Sequence, residues 1–590
     1  MRKGIARRIA KPAEKQTGCP QPYGAGDPAH SGKIRIPIMK RLLLPLLLLA
    51  PVFLSAEIIR LPSEARLWLK VSAAQSPLQD IEVSAGTATP ATWEKDPAVR
   101  ARHTDVIFPV RWWSWRELTV RFTPAEDGPV ELTLTGPWAA DENGAMPRQE
   151  ILWDDLTAEG AVIENGGFET IENGCPSAWK SPWAAYPAAA AWPLATAEAR
   201  TGNGLAASGC QRPLTQILHV KGGRTVTLRL HVMAATPPDF IIPEPLGDDT
   251  PAHRALARLK RGVNLGNGWE AEKHGSWGTR FTTEDIDRIA AEGFDHIRVP
   301  VAWHFHLKPS GNGLEIDPAL LAELEPVLRR AMEKNLHVLL NWHHFHDLTA
   351  DPATHTGRFI SGWETLARHF KSWPPGLFFE LLNEPCDALT TEFANPVYQE
   401  TVAAIRKSNP GRMLVVSPGH WGIARELDKL RLPAAEDRII VTIHCYEPFH
   451  FTHQGAGWVG LQTLRGITYP GPPASPFQIP AVLRENSGVR SFIERYNTLP
   501  ADRNPSSSHI VRELLDSARA WSLRFGRPVH LGEFGAHHSG DFASRSRYLR
   551  DVRTLAEERH IPWTLWEWKA GFGYWDPAKN QPRFRASLFE

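Results

Sequence analysis

Two short strings about 150 residues apart carry the side chains best suited to chemistry: Phe378-Phe379-Glu380-Leu381-Leu382-Asn383-Glu384-Pro385 and Val529-His530-Leu531-Gly532-Glu533-Phe534-Gly535. Each is an apolar, β-type run that delivers a glutamate at its C-terminal end. In a parallel barrel the C-terminal strand ends form the rim where reactions take place, so Glu384 and Glu533 can face one another across a cleft. A facing pair of carboxyl groups is the minimal equipment for cleaving a glycosidic bond. One such glutamate alone is more often a solvated strand-end residue. Two copies, one followed by Pro385 and the other by Phe534-Gly535, weaken that plainer reading.

Glutamates placed in this way need strands held side by side, and the second part of the chain has the pattern to supply them. Apolar runs at 262–265, 296–301, 336–342, 377–383, 412–417, 438–444, 528–532 and 561–567 read as strands. Amphipathic stretches at 284–291, 319–334, 363–371, 398–407, 510–525 and 545–559 read as helices between them. Eight strands alternating with helices over residues 251–590 predict an α/β fold, a (β/α)8 TIM barrel. An open doubly wound sheet is the rival, but no glycine-rich phosphate loop follows the first strand.

Residues 57–250 show a different rhythm. Ala65–Val71, Leu118–Phe122, Val130–Leu134 and Thr225–Val232 alternate apolar and polar residues between Gly, Pro and Asp, which predicts an all-β sandwich. The run Ile151-Leu152-Trp153-Asp154-Asp155-Leu156, followed by Asn165-Gly166-Gly167-Phe168-Glu169, resembles the end of one jelly-roll carbohydrate-binding module and the opening of the next. The expected divisions are a β-sandwich at 57–160, a second β-rich segment with linker at 161–250, and the barrel at 251–590. One composite β-domain across the first two is an equal alternative, because the second stretch is short for a complete module.

A chain of 590 residues exceeds a single core and implies about two to four domains. Its formal net charge of +1 leaves no electrostatic footprint for nucleic acid. Tryptophan is the outlier, 23 against 8 tyrosines, and indole faces stack well on sugar rings, although most such residues are ordinarily core. Lys40-Arg41, the apolar run Leu42–Leu54 and Ser55-Ala56 read as a secretory signal at 39–56, preceded by an overextended leader at 1–38. That run is short for a membrane span, so no stable span is expected after processing, with a longer targeting leader or an uncleaved anchor as the rival. Export to an extracellular or periplasmic space permits disulfides, and Cys175 and Cys210 could pair; Cys386 and Cys445 are expected as buried thiols.

Read together, the strand ends resemble glycoside hydrolase family 5 of the cellulase type over about residues 257–580. The strings are Arg261-Gly262-Val263-Asn264-Leu265-Gly266-Asn267, His296-Ile297-Arg298-Val299-Pro300, Asn341-Trp342-His343-His344 and Leu382-Asn383-Glu384-Pro385. His444-Cys445-Tyr446-Glu447-Pro448-Phe449, Gly532-Glu533-Phe534-Gly535 and Trp566-Glu567-Trp568 complete the series. Any one is weak; their order and spacing together are specific.

The resemblance implies a retaining mechanism, with Glu384 as general acid/base and Glu533 as nucleophile. Arg298 and Tyr446 would stand beside Glu533 and favour its charged form, and that charge would keep Glu384 protonated. It implies that Asn383 bonds the sugar 2-hydroxyl and that His343 and His444 hold carboxylates and sugar in register. His344, His453, Asn267 and Glu270 follow as hydroxyl binders, Trp566 as the stacking platform, and Trp421 and Trp458 as further walls of the cleft. Cys445 departs from the pattern, standing where an aromatic residue is usual. The long Pro-rich excursion from Leu461 to Pro505 leaves the choice of polysaccharide open.

Rival chemistries fare worse. His343, His344, His346 and Asp347 form a histidine-rich string, but consecutive residues at a strand end point in divergent directions, whereas zinc needs convergent ligands. No metal or cofactor is needed for the two-carboxylate route, and no G-x-S-x-G elbow is visible. The expectation is therefore a secreted, monomeric, retaining endo-β-1,4-glucanase acting on β-linked polysaccharide. The same reaction on mannan, xyloglucan or mixed-linkage glucan is the nearest alternative, and a non-catalytic polysaccharide-binding protein the more distant one.

Overall fold

The computed structural model describes residues 64–137, 150–172, 175–181, 199–210, 212–236, 245–311 and 313–590. The expected leader and signal segment, 1–56, lie outside the described residues. The chain divides into two compact units, Met1–Ile241 and Ile242–Glu590. Among the described residues no helix is long and apolar enough to cross a membrane.

The first unit is built on two five-stranded antiparallel sheets. One runs in the order Leu214–Val220, Gly128–Thr135, Glu64–Val71, His103–Pro109, Thr87–Pro90; the other Ala206–Ser208, Ile151–Glu159, Val226–Ala234, Arg116–Thr123, Gln79–Val83. Alternation makes them: in Glu64–Val71, Ala65, Leu67, Leu69 and Val71 are buried, while Arg66, Trp68 and Lys70 face the other way. The expected division at residue 160 is not a division between sheets. Leu214–Val220 pairs with Gly128–Thr135, and Val226–Ala234 lies between Arg116–Thr123 and Ile151–Glu159.

 Val226–Ala234 thus pairs with Arg116–Thr123 on one side and with Ile151–Glu159 on the other. The segment after residue 160 cannot bury its apolar faces alone; it does so by completing two sheets begun upstream, which is the composite arrangement. The pairing that the sequence left open is not made: Cys175 and Cys210 are both thiols, the Cys175 Sγ donating to the Trp179 carbonyl at 3.5 Å.

The second unit is a closed parallel barrel of eight strands: β1 (Arg261–Asn264), β2 (His296–Val301), β3 (His337–Trp342), β4 (Leu377–Glu380), β5 (Leu414–Val416), β6 (Ile439–His444), β7 (Val529–Phe534) and β8 (Trp563–Leu565). Each strand is an almost wholly buried apolar run, as a sheet covered on both faces requires. Pro251–Leu256 packs at the N-terminal mouth, where the Ala252 N–H donates to the Asp437 carbonyl just before β6. There Ala252, Leu256 and Leu259 join Leu339, Phe378, Val415 and Ile440 in one buried cluster.

The helices that separate the strands bury one stripe each. Ser508–Phe525 buries Val511, Leu514, Leu515, Ala518, Trp521 and Phe525, and stops at Gly526 with φ 58. Two helices begin earlier than their apolar periodicity suggests, Pro352–His369 and Thr391–Arg406. Their first turns are polar but are nucleated by the caps Asp351 and Thr390, which accept the Thr354 and Phe393 backbone N–H groups. The excursion after β6 has structure of its own: Ser487–Thr498 is helical, Phe492 stacks on His450 at 4.6 Å, and Tyr469 donates to Asp551 at 2.8 Å.

Candidate active site

Glu533 is held near the end of β7, and Glu384 stands just beyond β4. The segment after β4 keeps strand-like pairing, with the Leu381 N–H donating to Val415 and the Asn383 N–H to Trp342. One carboxylate oxygen from Glu384, one from Glu533 and a ring nitrogen of His444 all lie within 4.8 Å of one another. His444 Nδ1 is 2.7 Å from Glu384 Oε1 and 3.7 Å from Glu533 Oε2. The Glu384 side chain remains 21% exposed and that of Glu533 5%, so the acid beyond β4 is the more open of the two.

Arg298, wholly buried on β2, organises the floor. Its Nη1 donates to Glu533 Oε1 at 2.6 Å and to Asn264 Oδ1 at 2.8 Å, and its Nη2 donates to Asn383 Oδ1 at 2.5 Å. Nε and Nη2 also grip Glu380 at 2.7 and 2.8 Å. Tyr446 donates its hydroxyl to Glu533 Oε2 at 2.8 Å. Both oxygens of Glu533 are therefore fixed, one by a guanidinium and one by a phenol.

Electrostatics separate the two acids. Burial pushes the Glu384 carboxyl up to about 7, with Glu380 adding and Arg298 opposing. Burial also raises Glu533, against the pull of His444, Arg298 and the Tyr446 hydroxyl. The sequence expectation of a simply favoured charge on Glu533 omitted this desolvation, although it named the right neighbours. Burial carries His444 down to about 4, so its ring is neutral near pH 7. Burial and the nearby Glu533 charge hold Tyr446 well above the usual phenol range, which keeps it a donor. Arg298 stays charged: burial opposes this, but Glu380 and Glu533 outweigh it.

The outer residues divide into exposed aromatic side chains and buried ones that brace the site. His343, at the end of β3, is 2% exposed, bonds Asn341 Oδ1 through Nδ1 at 2.8 Å and stacks on Trp566 with rings 5.7 Å apart and 7° from parallel. Half-buried His344 has φ 54 and lies edge-on to His343 at 4.0 Å. Trp566 follows β8 and is half-buried, a ring held on one side by His343. Trp421, 49% exposed, is tied beside the acid by its backbone N–H, which donates to the Pro385 carbonyl at 3.1 Å. Trp458 is 66% exposed and sits 6.3 Å from His453, itself buried and 5.0 Å from the Tyr446 ring.

Two expected binders differ from one another. Asn267 is half-buried with φ 64 in the loop after β1. Glu270 is 2% exposed, and its oxygens accept the Asn267 N–H at 2.5 Å and the Gly268 N–H at 2.8 Å. It clasps its own loop. Burial pushes its carboxyl up to about 8, against those backbone bonds. The string His343, His344, His346 and Asp347 does not converge; among the described residues the one group of three possible metal ligands is Glu384, His444 and Glu533. Cys445 is buried as expected, whereas Cys386 is half-exposed.

Three residues of the site were missed in the sequence. Glu380 and Asn264 hold Arg298, and Asn341 orients His343. Glu380 had a signal: a charged residue inside Phe378-Phe379-Glu380-Leu381 must have a partner when the strand is buried. The asparagines carried no comparable mark.

The family model for Cellulase (glycosyl hydrolase family 5) matches residues 261–571. Endoglucanase H of Acetivibrio thermocellus is 27% identical over 312 residues, 53% of this chain and 30% of that protein. Endoglucanase 3 of Fibrobacter succinogenes is 27% identical over 337 residues, 54% of this chain and 51% of that protein. The chain thus spans about half or less of the length of these two relatives. Among solved structures, a mutant form of Thermotoga maritima Cel5A in complex with cellobiose is 30% identical with a TM-score of 0.50, covering 58% of this chain and 100% of that one.

Proposed function

Because the chain belongs to glycosyl hydrolase family 5, we propose that it is a retaining endo-β-1,4-glucanase that cuts internal links of a β-1,4-linked glucan through a covalent glycosyl-enzyme. The observation that carries this reading is the approach of Glu384, His444 and Glu533 atoms to within 4.8 Å. Retaining enzymes hold their carboxyl groups roughly 5–5.5 Å apart, whereas inverting ones leave about 6.5–9.5 Å for a water. Substrate class is supported by the cellobiose bound to the related Cel5A.

Glu533 attacks the anomeric carbon while Glu384, protonated at the outset, gives its proton to the leaving glycosidic oxygen. Glu384 then takes a proton from water as that water breaks the glycosyl ester and frees Glu533. Arg298 and Tyr446 hold the nucleophile in line, and neutral His444 donates Nδ1–H to Glu384 once it is charged. Asn383, fixed by Arg298, bonds the 2-hydroxyl, and Trp566 offers the sugar an apolar face. His343 lies behind Trp566, with His344, Asn267, His453, Trp421 and Trp458 lining the cleft.

The chain is exported through the segment 39–56, a proposal supported by the basic pair Lys40-Arg41 and the apolar run behind it. The mass of the mature N-terminus tests it.

The function is tested by incubating the purified chain with soluble β-1,4-glucan, mannan, xyloglucan and mixed-linkage glucan, counting new reducing ends and reading the anomeric configuration of the first product by NMR. Fastest cleavage of β-1,4-glucan with β-configured product is expected, and Glu384→Gln and Glu533→Gln should each lose more than about 10²-fold in kcat. An α-configured first product, or full activity in either variant, removes the mechanism.

A further inference from the structure

Beneath the catalytic side chains, on the side of the N-terminal mouth, the barrel is filled by polar groups that the reaction does not use. His296 stands two residues before Arg298 on β2, Thr442 two before His444 on β6, and Thr564 two before Trp566 beyond β8. Residues two apart on a strand share a face. His530 stands three before Glu533, and the register shift that sets Ile443 opposite Leu531 but His444 opposite Glu533 brings it into the same phase. His296, Thr442, His530 and Thr564 are each 0% exposed.

The four are joined in a line. His296 Nε2 lies 2.7 Å from Thr564 Oγ1, which lies 2.8 Å from His530 Nε2, and His530 Nδ1 lies 3.5 Å from Thr442 Oγ1. At the far end His296 Nδ1 lies 2.6 Å from Asp295 Oδ1. The carboxylate can only accept, so His296 Nδ1 donates; the Thr564 hydroxyl has one proton, so it donates to one ring and accepts from the other.

Interior layers of such barrels are ordinarily packed with branched apolar side chains. A buried polar layer is favourable only when its members are satisfied, and it then specifies one arrangement. Two glycines clear its path. Gly262 of β1 lies in register between His296 and Thr564, and a Cβ there would stand 2.1 Å from His296 Nε2. A Cβ at Gly532 would stand 2.3 Å from Thr442 Oγ1 and 3.3 Å from His444 Nε2, so this layer presses directly on the strand that carries Glu533.

We propose that His296, Thr442, His530 and Thr564 form a positioning layer, in which the Thr564 hydroxyl ties β2, β7 and β8 together and thereby sets where Arg298, Glu533 and Trp566 stand. They are positioning residues, acting through the side chains above them. The inference rests on the reading of Glu533 as nucleophile given above.

The test is steady-state kinetics of the full chain with Thr564→Val and Thr564→Ser on soluble β-1,4-glucan, with circular dichroism and the unfolding midpoint recorded for each. Valine keeps the shape and removes the hydroxyl; serine keeps the hydroxyl. Because sub-ångström misplacement of reacting groups is costly, kcat in Thr564→Val should fall about 10-fold with KM within about twofold, while Thr564→Ser stays within about threefold of the parent. Parental kcat in a folded Thr564→Val, or equal losses in the two variants, overturns the proposal. If Thr564→Val does not fold, Thr442→Val takes its place, with Thr442→Ser as its partner and the same outcomes. Failure of both valine variants to fold assigns the layer to folding and overturns it as well. Glu533→Gln, measured alongside, separates the two readings: if it is inactive and the valine variant is not impaired, only the layer fails, whereas an active Glu533→Gln removes the mechanism beneath it.

Discussion

Glu380 grips Arg298 through two parallel hydrogen bonds, 2.7 Å to Nε and 2.8 Å to Nη2, with neither side chain exposed to water. A buried guanidinium needs this charge, because taking an ion out of water is costly unless it is paired. Glu380→Gln keeps the shape and removes the charge, leaving Glu533 as the only anion bonded to Arg298. Breaking a buried pair in this way should cost about 3 kcal/mol of stability, read as a lower urea midpoint. Arg298 would then hold the nucleophile more tightly and lower its basicity, so the acid limb of the rate profile should move to lower pH. An unchanged midpoint and limb would deny Glu380 this role.

The pH dependence of the rate follows from the same electrostatics. The enzyme needs Glu533 charged and Glu384 protonated, and burial has carried Glu384 up to about 7. The alkaline limb of kcat/KM should therefore fall near pH 7, and the acid limb above the ordinary glutamate range, because burial raises Glu533 too. An aryl glycoside whose phenol leaves unaided needs no proton, so on it the alkaline limb should disappear from the first chemical step. Persistence of that limb on such a substrate would mean that another group produces it.

The barrel was legible because each strand is a short apolar run between polar breakers and each helix has one apolar stripe. For the β-rich part the sequence left two modules and one composite domain as equal readings, since alternation does not say which strand lies beside which. Leu134 faces both Leu67 and Leu214, and nothing local to Leu134 encodes partners so far along the chain. At the site, strand-end strings led to Glu384, Glu533, Arg298, Tyr446 and His444, which the structure brings together. Glu270 went to a different task because its carboxylate turns back onto the Asn267 and Gly268 N–H groups, a matter of loop geometry invisible in residue types. The polar layer under the site was visible only as His296, Thr442, His530 and Thr564 interrupting apolar strands.

Stability should have a summit near pH 6.5. Burial pushes Glu270 up to about 8 and Glu384 and Glu567 up to about 7, from 4.5 in an unfolded chain. Raised carboxyls contribute stability that is fully present below the unfolded value and is lost as pH rises through 7 to 8. Burial lowers His304, His344, His444, His450 and His537 to about 4 and His453 to about 3, from 6.5, and takes His343 and His530 well below 6.5. Below 6.5 the unfolded chain gains protons that these folded rings refuse, so stability falls as pH drops toward 4. The histidines outnumber the glutamates, so the acid side should be the steeper. Urea midpoints across pH 4.5–8.5, followed by tryptophan fluorescence, check this; a maximum below pH 5 would contradict the assignment.

Trp458 and Trp566 should separate binding from chemistry. Trp458 is 66% exposed in the loop after β6, over His453, Phe572 and His537, with ring centroids 5.4 to 6.3 Å away. An indole so placed can gain contact with a sugar distant from the bond being cut, which strengthens ground state and transition state alike. An aromatic contact of this kind is worth about 0.5–1.5 kcal/mol, so Trp458→Ala should raise KM about 2- to 10-fold for long glucans and leave kcat in place. Trp566 lies against His343, and its backbone N–H donates to the carbonyl of Phe534, the neighbour of Glu533, so on the reading of Trp566 as the stacking platform Trp566→Ala removes contact with the ring that distorts toward the transition state. There kcat should fall with kcat/KM. Steady-state kinetics on a ladder of cello-oligosaccharides distinguishes the two: the Trp458 effect must fade as the chain becomes too short to reach that loop, and the Trp566 effect must persist at every length. A Trp458→Ala penalty that is the same for the shortest cleavable oligomer and for polymer would place that indole outside the substrate path.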